Sequence, residues 1–409
     1  MSTTAAPSAH RPIVDEPVPQ PVRWGAPELA RLTAMVQQPS LFYWKGPQTT
    51  ALIEEFRRHY AFKYCYPCSS GTASLHIAVA ALKLKPGDEV IVAPITDMGS
   101  VIGVLFQQGV PVFADLEPRT YNLDPADVRR KVTSRTRAIM AVHLAGNPCN
   151  TTALAAIAQE HGLALIEDCA QSWGARHQGQ PIGLVGDFGC YSFNDFKHIA
   201  CGDGGLVATN SEQLGPGLAK WGDKSYDRVA GGRAPEELAA NYRMSEPQSA
   251  VAAAQLGKLT DIVARRNRAG ELLTARLAGA PGLLLPTVAP GDFHSYWFYL
   301  LRIEPAKFTV SRNELAAAFN AEGVIAGPGY IPTTVYRYPV FQNHNFFGGA
   351  WPVRDLGLTT MDYRQVNCPV AEAIIADCIT LRINEAMSDA YIEKVARAVQ
   401  TVTRRLARA

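Results

Sequence analysis

Residues 137–168 read RAIMAVHLAGNPCNTTALAAIAQEHGLALIED: an apolar run, a run of helix formers and a second apolar run. We predict a strand from Arg137 to His143, a helix from Thr152 to His161 and a strand from Leu163 to Ile166. Two short apolar strands joined by a helix form a βαβ unit, whose strands run parallel. The stretch therefore predicts a mainly parallel sheet with helices on both faces.

The same alternation extends in both directions along the chain. Further helices and strands are predicted over residues 74–84, 100–108 and 125–132, and over residues 89–93, 112–114, 189–193 and 205–209, respectively. We therefore predict an α/β large domain over residues 25–280. Beyond a Pro/Gly-rich boundary, the pattern predicts a smaller α+β domain over residues 281–409, and the Pro/Ala/Ser-rich residues 1–24 predict a flexible tail.

A long helix is predicted over residues 244–262, which are rich in Ala, Leu and Gln. Arg265, Arg266 and Arg268 continue this run, and we expect them on its solvated face. The basic cluster then serves solubility and binds no partner.

The composition excludes several classes of protein. The 409 residues include 39 Lys and Arg and 37 Asp and Glu, giving a formal net charge of +2. A protein that binds nucleic acid by neutralising phosphates would show a basic excess. No apolar run reaches about 18 residues, so no membrane helix is predicted. The N-terminal segment lacks the apolar block of a signal peptide, and we expect a cytoplasmic protein.

Eight cysteines are scattered along the chain. Cys65 and Cys68 form a CxxC motif, but no second pair supplies the other two ligands of a zinc site. We therefore predict no metal site and expect most of the cysteines in the reduced core.

Small and hydroxyl-bearing residues, SSGTAS over residues 69–74, precede a predicted helix. Free amides at a helix N-terminus, together with hydroxyls, suit a phosphate group. An ordinary helix N-cap uses the same residue types. Taken alone, the motif is compatible with both interpretations.

Asp168 and Lys197 each follow an apolar strand, where ligands bind in parallel sheets. The carboxylate of Asp168 can pair with a protonated ring nitrogen, or it can cap a helix. A lone loop lysine usually faces solvent, but Lys197 lies between a strand and a Gly-rich turn. Burial there would lower its pKa and make the amine a nucleophile towards an aldehyde.

Together the three segments meet the requirements of pyridoxal phosphate. Its phosphate needs amides and hydroxyls, its pyridine nitrogen needs a carboxylate in order to stay protonated, and its aldehyde needs an amine. The combination is more specific than any one segment.

Five segments, in this order, resemble the DegT/DnrJ/EryC1/StrS family of sugar aminotransferases. They are SSGTAS (69–74), PGDEVIV with PVFADLEPRTYNLDP (86–92 and 111–125), IEDCAQSWGA (166–175), GDFGCYSFNDFKHIACGDGG (186–205) and NYRMSEPQSAVAAAQL (241–256). The resemblance covers the chain from about residue 46 to the final helix. It implies an aspartate-aminotransferase-like (type I) large domain and pyridoxal phosphate as the cofactor.

The resemblance also implies a role for each matching residue. Lys197 would bind the cofactor's aldehyde covalently, Asp168 would pair with the pyridine nitrogen, and Gln171 would hydrogen-bond the ring hydroxyl. Four residues would hold the phosphate: Gly71, Thr72, Ala73 and Ser192. Asn241 would reach the phosphate in the partner subunit, so the sites would be shared across a homodimer.

Two positions depart from the family pattern. A Thr-aromatic pair usually follows the PGDEVIV strand, and its ring stacks on the cofactor, but this chain has Thr96-Asp97. An acid cannot stack as an aromatic ring does, so either Asp97 contacts substrate or Met98 supplies the apolar cover. Arg382 stands where the family often has proline, and its guanidinium either pairs with a donor carboxylate or lies on the surface.

Aromatic residues are candidates for a sugar pocket. Tyr43 and Trp44 belong to the aromatic run 42–44, and Tyr330 begins a Tyr-rich loop. Sugars stack on aromatic faces, but positions in the core or in a subunit interface are the other interpretation.

The resemblance implies an aminotransferase that moves an amino group from glutamate or glutamine to a keto-sugar or keto-cyclitol, in aminosugar or antibiotic biosynthesis. Sugar dehydratases of the same family are a rival, but they have His where this chain has Lys197. A non-catalytic binding or regulatory protein on the same fold is a further rival. Loss of Lys197 or Asp168 would favour it, and both residues are present. A variant chemistry on the same cofactor stays open because of Asp97. Transamination is the predicted reaction.

Overall fold

A computed structural model describes residues 11–408 of the chain. Its strands are, in chain order, β1 (Tyr64–Cys68), β2 (Glu89–Val92), β3 (Val110–Phe113), β4 (Thr136–Val142), β5 (Ala164–Asp168), β6 (Arg176–His177), β7 (Gln180–Pro181), β8 (Phe188–Ser192), β9 (Gly205–Thr209), β10 (Leu283–Leu284), β11 (Tyr299–Ile303), β12 (Ala326–Gly327) and β13 (Cys378–Leu381). Its helices are α1 (Ala26–Val36), α2 (Pro47–His59), α3 (Gly71–Ala81), α4 (Gly99–Phe106), α5 (Pro125–Lys131), α6 (Thr151–His161), α7 (Leu218–Gly222), α8 (Glu246–Leu256), α9 (Leu259–Leu277), α10 (Arg312–Ala321), α11 (Pro339–Gln342), α12 (Pro352–Asp355), α13 (Pro369–Asp377) and α14 (Asp389–Leu406).

A seven-stranded sheet in the order β1-β9-β8-β5-β4-β2-β3 forms the centre of the larger part. Strands β8, β5, β4, β2 and β3 pair in parallel, whereas β9 is antiparallel to both β8 and β1. The predicted α/β class with a mainly parallel sheet is confirmed. The sequence analysis missed β1, whose Pro67 weakens a strand pattern and is accommodated because β1 is an edge strand.

The predicted βαβ unit is β4-α6-β5. Helix α6 begins after Asn150, whose side chain accepts a hydrogen bond from the amide of Ala153 (3.1 Å). It ends at Gly162, which adopts a left-handed conformation (φ 63°). Since β4 and β5 are parallel, their carboxyl ends reach the same edge of the sheet. Asp168, the last residue of β5, therefore lies at that edge.

A second sheet, in the order β10-β11-β13-β12, is antiparallel throughout. One face of α14 packs on it through residues at helical spacing, including Ile392, Val395 and Val399. The C-terminal half of α9 joins this second core, whereas residues 335–378 contribute to the core of the large sheet. The boundaries 25–280 and 281–409 therefore stay predictions.

The long helix predicted over residues 244–262 is interrupted. Helix α8 ends at Leu256, and α9 begins at Leu259. Gly257 stands at the break, and glycine has a weak preference for helix interiors. The solvated position predicted for Arg266 is wrong: its side chain is buried, donates to Glu385 (2.8 Å) and also donates to three backbone carbonyls.

The predicted flexible tail covers residues 1–24, of which residues 1–10 lie outside the described residues. Residues 11–24 run along the folded part of the chain and contact it. Val14 is buried and its amide donates to the carbonyl of Glu322 (3.0 Å). The side chain of Asn384 donates to the carbonyl of Pro19 (2.9 Å). These contacts tie residues 11–24 to the second core.

Within the described residues, no helix is long and apolar enough to span a bilayer.

Candidate active site

A cavity of about 240 Å³ opens at the carboxyl edge of the large sheet. It brings together residues from four segments that the sequence analysis singled out: Gly71, Thr72, Asp97, Asp168, Gln171, Ser192 and Lys197. Each lies at the end of a strand or in the loop or helix start that follows one, as expected for a ligand site in a parallel sheet.

The start of α3 forms one wall of this cavity. Ser70 caps the helix by accepting a hydrogen bond from the amide of Ala73 (3.0 Å), so one interpretation of the SSGTAS motif is correct. The amides of Gly71 and Thr72, in the first turn, have no acceptor within the helix. A Cβ on Gly71 would lie 2.7 Å from the Cβ of Ser192, so only glycine lets the two segments approach this closely. The start of α3 is therefore capped by Ser70 and can also offer amides and hydroxyls to an anion.

Asp168 is a buried residue of the cavity lining. Its carboxylate accepts hydrogen bonds from the hydroxyl of Ser100 (2.8 Å) and the amide of Ala170 (3.1 Å). Burial raises the pKa of Asp168 above its ordinary value, against these hydrogen bonds and the charge of Lys197. A cationic group beside it would offset that burial and keep the carboxylate ionised.

A buried pair lies behind Asp168. The imidazole of His143 contacts the carboxylate of Glu167 (3.1 Å), which also accepts amide hydrogen bonds from residues 183, 185 and 186. Burial alone would raise the pKa of Glu167, but its bond to His143 and these amides hold it below its ordinary value. The side chains of His143, Glu167 and Cys169 lie within 4.8 Å of one another. His143 and Glu167 are hydrogen-bonded to each other, and this pair fixes the end of β5. The absence of a metal site stays a prediction.

Lys197 is the basic group of the cavity. Burial lowers its pKa to about 8, although the charges of Asp168 and Asp97 oppose the shift. Its Nζ lies 3.8 Å from the ring centroid of Trp297. An amine with this pKa is partly neutral at physiological pH and can act as a nucleophile or a base.

Gln171 connects the cavity to the loop after β12. Its side-chain oxygen accepts from the amide of Ala145 (2.9 Å), and its nitrogen donates to the hydroxyl of Tyr330 (3.0 Å). The ring of Tyr330 stacks on Phe298 at 5.1 Å. The structure thus places Tyr330 beside the site, as the sequence interpretation of a substrate-pocket residue requires.

Asp97 projects into the cavity after β2, and its side chain is exposed. Its Oδ1 accepts a hydrogen bond from the amide of Gly99 (2.8 Å). Burial raises the pKa of Tyr338, and the charge of Asp97 raises it further. The same charge opposes the lowering of the pKa of Lys197. Asp97 therefore faces the open part of the site.

Besides Ala73, which follows Thr72, and Tyr330, which bonds to Gln171, four candidates lie outside this cavity. Arg382 lines a second cavity of about 480 Å³ and donates to the side chain of Gln20 (3.3 Å). Tyr43 is buried and donates to Asp223, and it lines a third cavity of about 320 Å³ together with Trp44. Asn241 is exposed and accepts from Arg243 (2.7 Å). In the part of the chain that the structure describes, none of these four lines the cavity of Lys197.

Comparison with known proteins identifies the family. Residues 25–400 match the model of the DegT/DnrJ/EryC1/StrS aminotransferase family. The chain belongs to the DegT/DnrJ/EryC1/StrS aminotransferase family. It is 33% identical over 326 residues to a GDP-perosamine synthase of Vibrio cholerae, covering 80% of this chain and 86% of that protein. The present chain is an aminotransferase, and its cofactor is pyridoxal phosphate.

Solved structures of aminotransferases have the same fold. An aminotransferase from Psychrobacter cryohalolentis superposes with a TM-score of 0.85 at 26% identity, covering 95% of this chain and all (100%) of that chain. DesV of S. venezuelae, in complex with a ketimine intermediate, gives a TM-score of 0.80 at 28% identity, covering 93% and 95%. The type I fold predicted from the resemblance is therefore confirmed.

Three residues that line or support this aminotransferase site were not predicted from the sequence. Ser100 holds Asp168, Trp297 lies against the amine of Lys197, and Arg23 donates to the backbone of Lys197 (2.7 Å). Ser100 had a weak signal, since it follows a strand at the carboxyl edge. Trp297 and Arg23 come from segments remote in sequence, and no local pattern marks them.

Proposed function

We propose that this aminotransferase transfers an amino group from an amino acid, glutamate or glutamine, to a keto-sugar or keto-cyclitol in aminosugar or antibiotic biosynthesis. The relative from Vibrio cholerae is a GDP-perosamine synthase, and a relative from Bacillus subtilis (strain 168) is a spore coat polysaccharide biosynthesis protein. Both names concern the synthesis of sugar-containing products, which supports a sugar acceptor.

One observation carries the proposal: a buried carboxylate, an amine with a lowered pKa and a helix N-terminus meet in one cavity. These groups fit pyridoxal phosphate. The first turn of α3, with Gly71, Thr72, Ala73 and Ser192, would hold the phosphate, and Asp168 would hold a proton at the pyridine nitrogen. Gln171 would hydrogen-bond the ring hydroxyl through the second N–H of its amide.

The residues of the chain perform the proton transfers. When bound, pyridoxal phosphate supplies an electron sink for the carbanion that forms at the donor's α-carbon. Nζ of Lys197 takes the proton that leaves this carbon, because the lowered pKa makes the amine available as a base near neutral pH. Asp168 keeps the ring nitrogen protonated throughout, since its carboxylate is held by Ser100 and Ala170.

The amino donor would be recognised through Arg382. Its guanidinium bonds only to the neutral amide of Gln20 among its hydrogen bonds in the described residues, so it can still pair with a carboxylate. In the same cavity, Glu385 already neutralises Arg266. The acceptor would contact Asp97, in the cavity of Lys197, and Tyr330, which lies beside it.

We also propose a cytoplasmic homodimer with shared active sites. Asn241 is exposed and lies outside the cavity of its own chain, which agrees with a role at the phosphate of the partner subunit. Tyr43 and Trp44 are then interface or core residues rather than sugar contacts of their own chain.

Spectroscopy of the two half-reactions tests the proposed function. The purified protein should be yellow, and its visible band should bleach with glutamate or glutamine and return with a keto-sugar or an inosose. Lys197→Ala should abolish turnover, whereas a surface change such as Lys394→Ala should not. Bleaching that no keto-sugar or keto-cyclitol reverses would refute the acceptor, and turnover by Lys197→Ala at the wild-type rate would refute the assignment of Lys197.

A further inference from the structure

Two distant side chains bind three consecutive carbonyls in the loop that carries Lys197. Arg23 donates from Nη1 to the carbonyl of Asp195 (2.5 Å) and from Nη2 to the carbonyl of Lys197 (2.7 Å). The indole of Trp297 donates to the carbonyl of Phe196 between them (2.7 Å). Backbone carbonyls at an exposed loop normally turn to water, so this pattern restrains the main chain at the reactive lysine.

Arg23 is itself held in place. Its carbonyl accepts hydrogen bonds from the side chains of Gln255 (2.7 Å) and Lys258 (2.7 Å). Both of these side chains also bind Glu28, Gln255 by a hydrogen bond (2.8 Å) and Lys258 by an ion pair (2.6 Å). The network ties the end of the N-terminal segment to the junction of α8 and α9. Arg23 is therefore a fixed support and not a surface side chain that happens to touch the loop.

The guanidinium of Arg23 donates its hydrogen bonds in the described residues to the loop. Within the part of the chain that the structure describes, its guanidinium forms no ion pair with a carboxylate. A planar guanidinium that donates from two nitrogens to two carbonyls fixes the orientation of the main chain as well as its distance from the arginine. An exposed arginine used only for solubility would not need this arrangement.

We propose that Arg23 is a positioning residue for Lys197, holding the main chain of the loop so that Nζ stays in the cavity against Trp297. The proposal rests on the proposed role of Lys197 in the aminotransferase reaction. It makes the N-terminal segment a part of the active site, although Arg23 touches no reacting atom.

The consequence for Lys197 follows from burial. The loop holds the amine against Trp297 and away from water, and this burial is the largest cause of its lowered pKa. If Arg23 is removed, the loop can move and the amine gains access to solvent. The pKa should then rise towards the ordinary lysine value of 10.5.

The test measures the amine directly, in full-length protein freed of cofactor. The rate at which acetic anhydride acetylates Lys197 is followed against pH by peptide mass spectrometry. Wild type should give a midpoint at about 8, and Arg23→Gln should move it clearly upward. Arg23→Lys, which retains one charged donor, should lie between them. Arg11→Gln is the matched control, because Arg11 belongs to the same segment but, among residues 11–408, its ion pair is with Asp15.

The holoenzyme supplies a second measurement. Arg23→Gln should lower kcat by about 10–100-fold with less change in KM, as expected for a misplaced catalytic group, and Arg23→Lys should recover part of it. An unchanged midpoint in a folded Arg23→Gln protein overturns the proposal. If that variant does not fold, an Arg23→Lys protein with a wild-type midpoint and kcat overturns it. Acetylation involves no substrate, so its outcome is independent of whether a keto-sugar is the acceptor.

Discussion

Asp168 and Lys197 both line the cavity, and their environments shift their pKa values in opposite directions. Burial raises the pKa of Asp168 and lowers that of Lys197, so each is destabilised in its charged form without a partner. A bound ring with a protonated nitrogen at one end and an aldehyde at the other would satisfy both. This pairing of two strained groups is what makes the site specific for such a cofactor.

Asp168→Asn tests the carboxylate. At about 4 Å and an effective dielectric of about 20, its interaction with a pyridinium is on the order of 4 kcal/mol. Since about 1.4 kcal/mol corresponds to a factor of ten, kcat should fall about a thousandfold. Steady-state kinetics with the best donor and acceptor measure this, and Asp261→Asn on the exposed face of α9 is the control. A loss of less than tenfold would contradict the role of Asp168.

Asp97→Asn tests the charge that replaces the usual aromatic ring. The carboxylate of Asp97 stabilises the ammonium form of Lys197, so its removal should lower the pKa of Lys197 below about 8. The amine should then become reactive at lower pH, and the pH midpoint of its acetylation should shift downward. Asp195→Asn is the control, because Asp195 does not contribute to the shift at Lys197. An upward or absent shift in Asp97→Asn would show that this charge does not act on the amine.

At the scale of elements, the start of α3 and the end of β8 must approach closely for the phosphate to be held. Gly71 permits this contact with Ser192 because it lacks a Cβ. Gly71, Thr72 and Ser192 line the same cavity, so the free amides of the helix and both hydroxyls are available to the proposed phosphate.

Gly71→Ala should weaken cofactor binding. The added Cβ would lie 2.7 Å from the Cβ of Ser192, which forces α3 and β8 apart. We expect the Kd for pyridoxal phosphate, measured by absorbance titration of the cofactor-free protein, to rise by about tenfold or more, which corresponds to the loss of one good hydrogen bond to a charged group. Gly217→Ala is the matched control, since no atom lies within 4 Å of its added Cβ. Equal affinities for the two variants would contradict the account of the phosphate site.

The sequence was sufficient for the elements whose signals are local. The βαβ unit of β4, α6 and β5 was recognisable because its apolar runs, cap and glycine stop lie next to one another. The break at Gly257 was missed because the composition of both flanking helices is similar. The burial of Arg266 was missed because its partner Glu385 lies 119 positions away.

The candidate site divides in the same way. Gly71, Asp168 and Lys197 lie in motifs whose residue types predict a phosphate site, an acid and an amine, respectively. The structure brings all three into one cavity. Arg23 and Trp297 act through a tertiary contact with the loop of Lys197, which no local spacing encodes. Arg382 was noted as a departure from the family pattern and Asn241 as part of a motif, but their positions outside the cavity depend on tertiary packing.

At the scale of the whole molecule, the order of the strands makes the site possible. The parallel strands β2, β5 and β8 bring the segments after them to one edge, where Asp97, Asp168 and Lys197 meet. The N-terminal segment and the second sheet then cover this edge from the side of Arg23 and Trp297. Asn241 is exposed and does not line the cavity, as the proposed sharing of sites between subunits requires.

A subunit-mixing experiment tests shared sites. Lys197→Ala and Asn241→Ala homodimers should each have low activity, because every site lacks one group. In a hybrid dimer of the two variants, one site has wild-type Lys197 from one subunit and wild-type Asn241 from the other. Co-expressed hybrids isolated with two affinity tags should therefore regain up to about half of the wild-type activity, as one intact site of two predicts. No recovery in the hybrid would contradict a shared site.

The covalent link between Lys197 and the cofactor is the central claim. Reduction of the yellow holoenzyme with borohydride should fix the cofactor to the protein, and peptide mass spectrometry then identifies the modified residue. The account predicts a phosphopyridoxyl group on the peptide that contains Lys197 and on no other. Modification of a different lysine, or cofactor that is released unreduced and unattached, would contradict it.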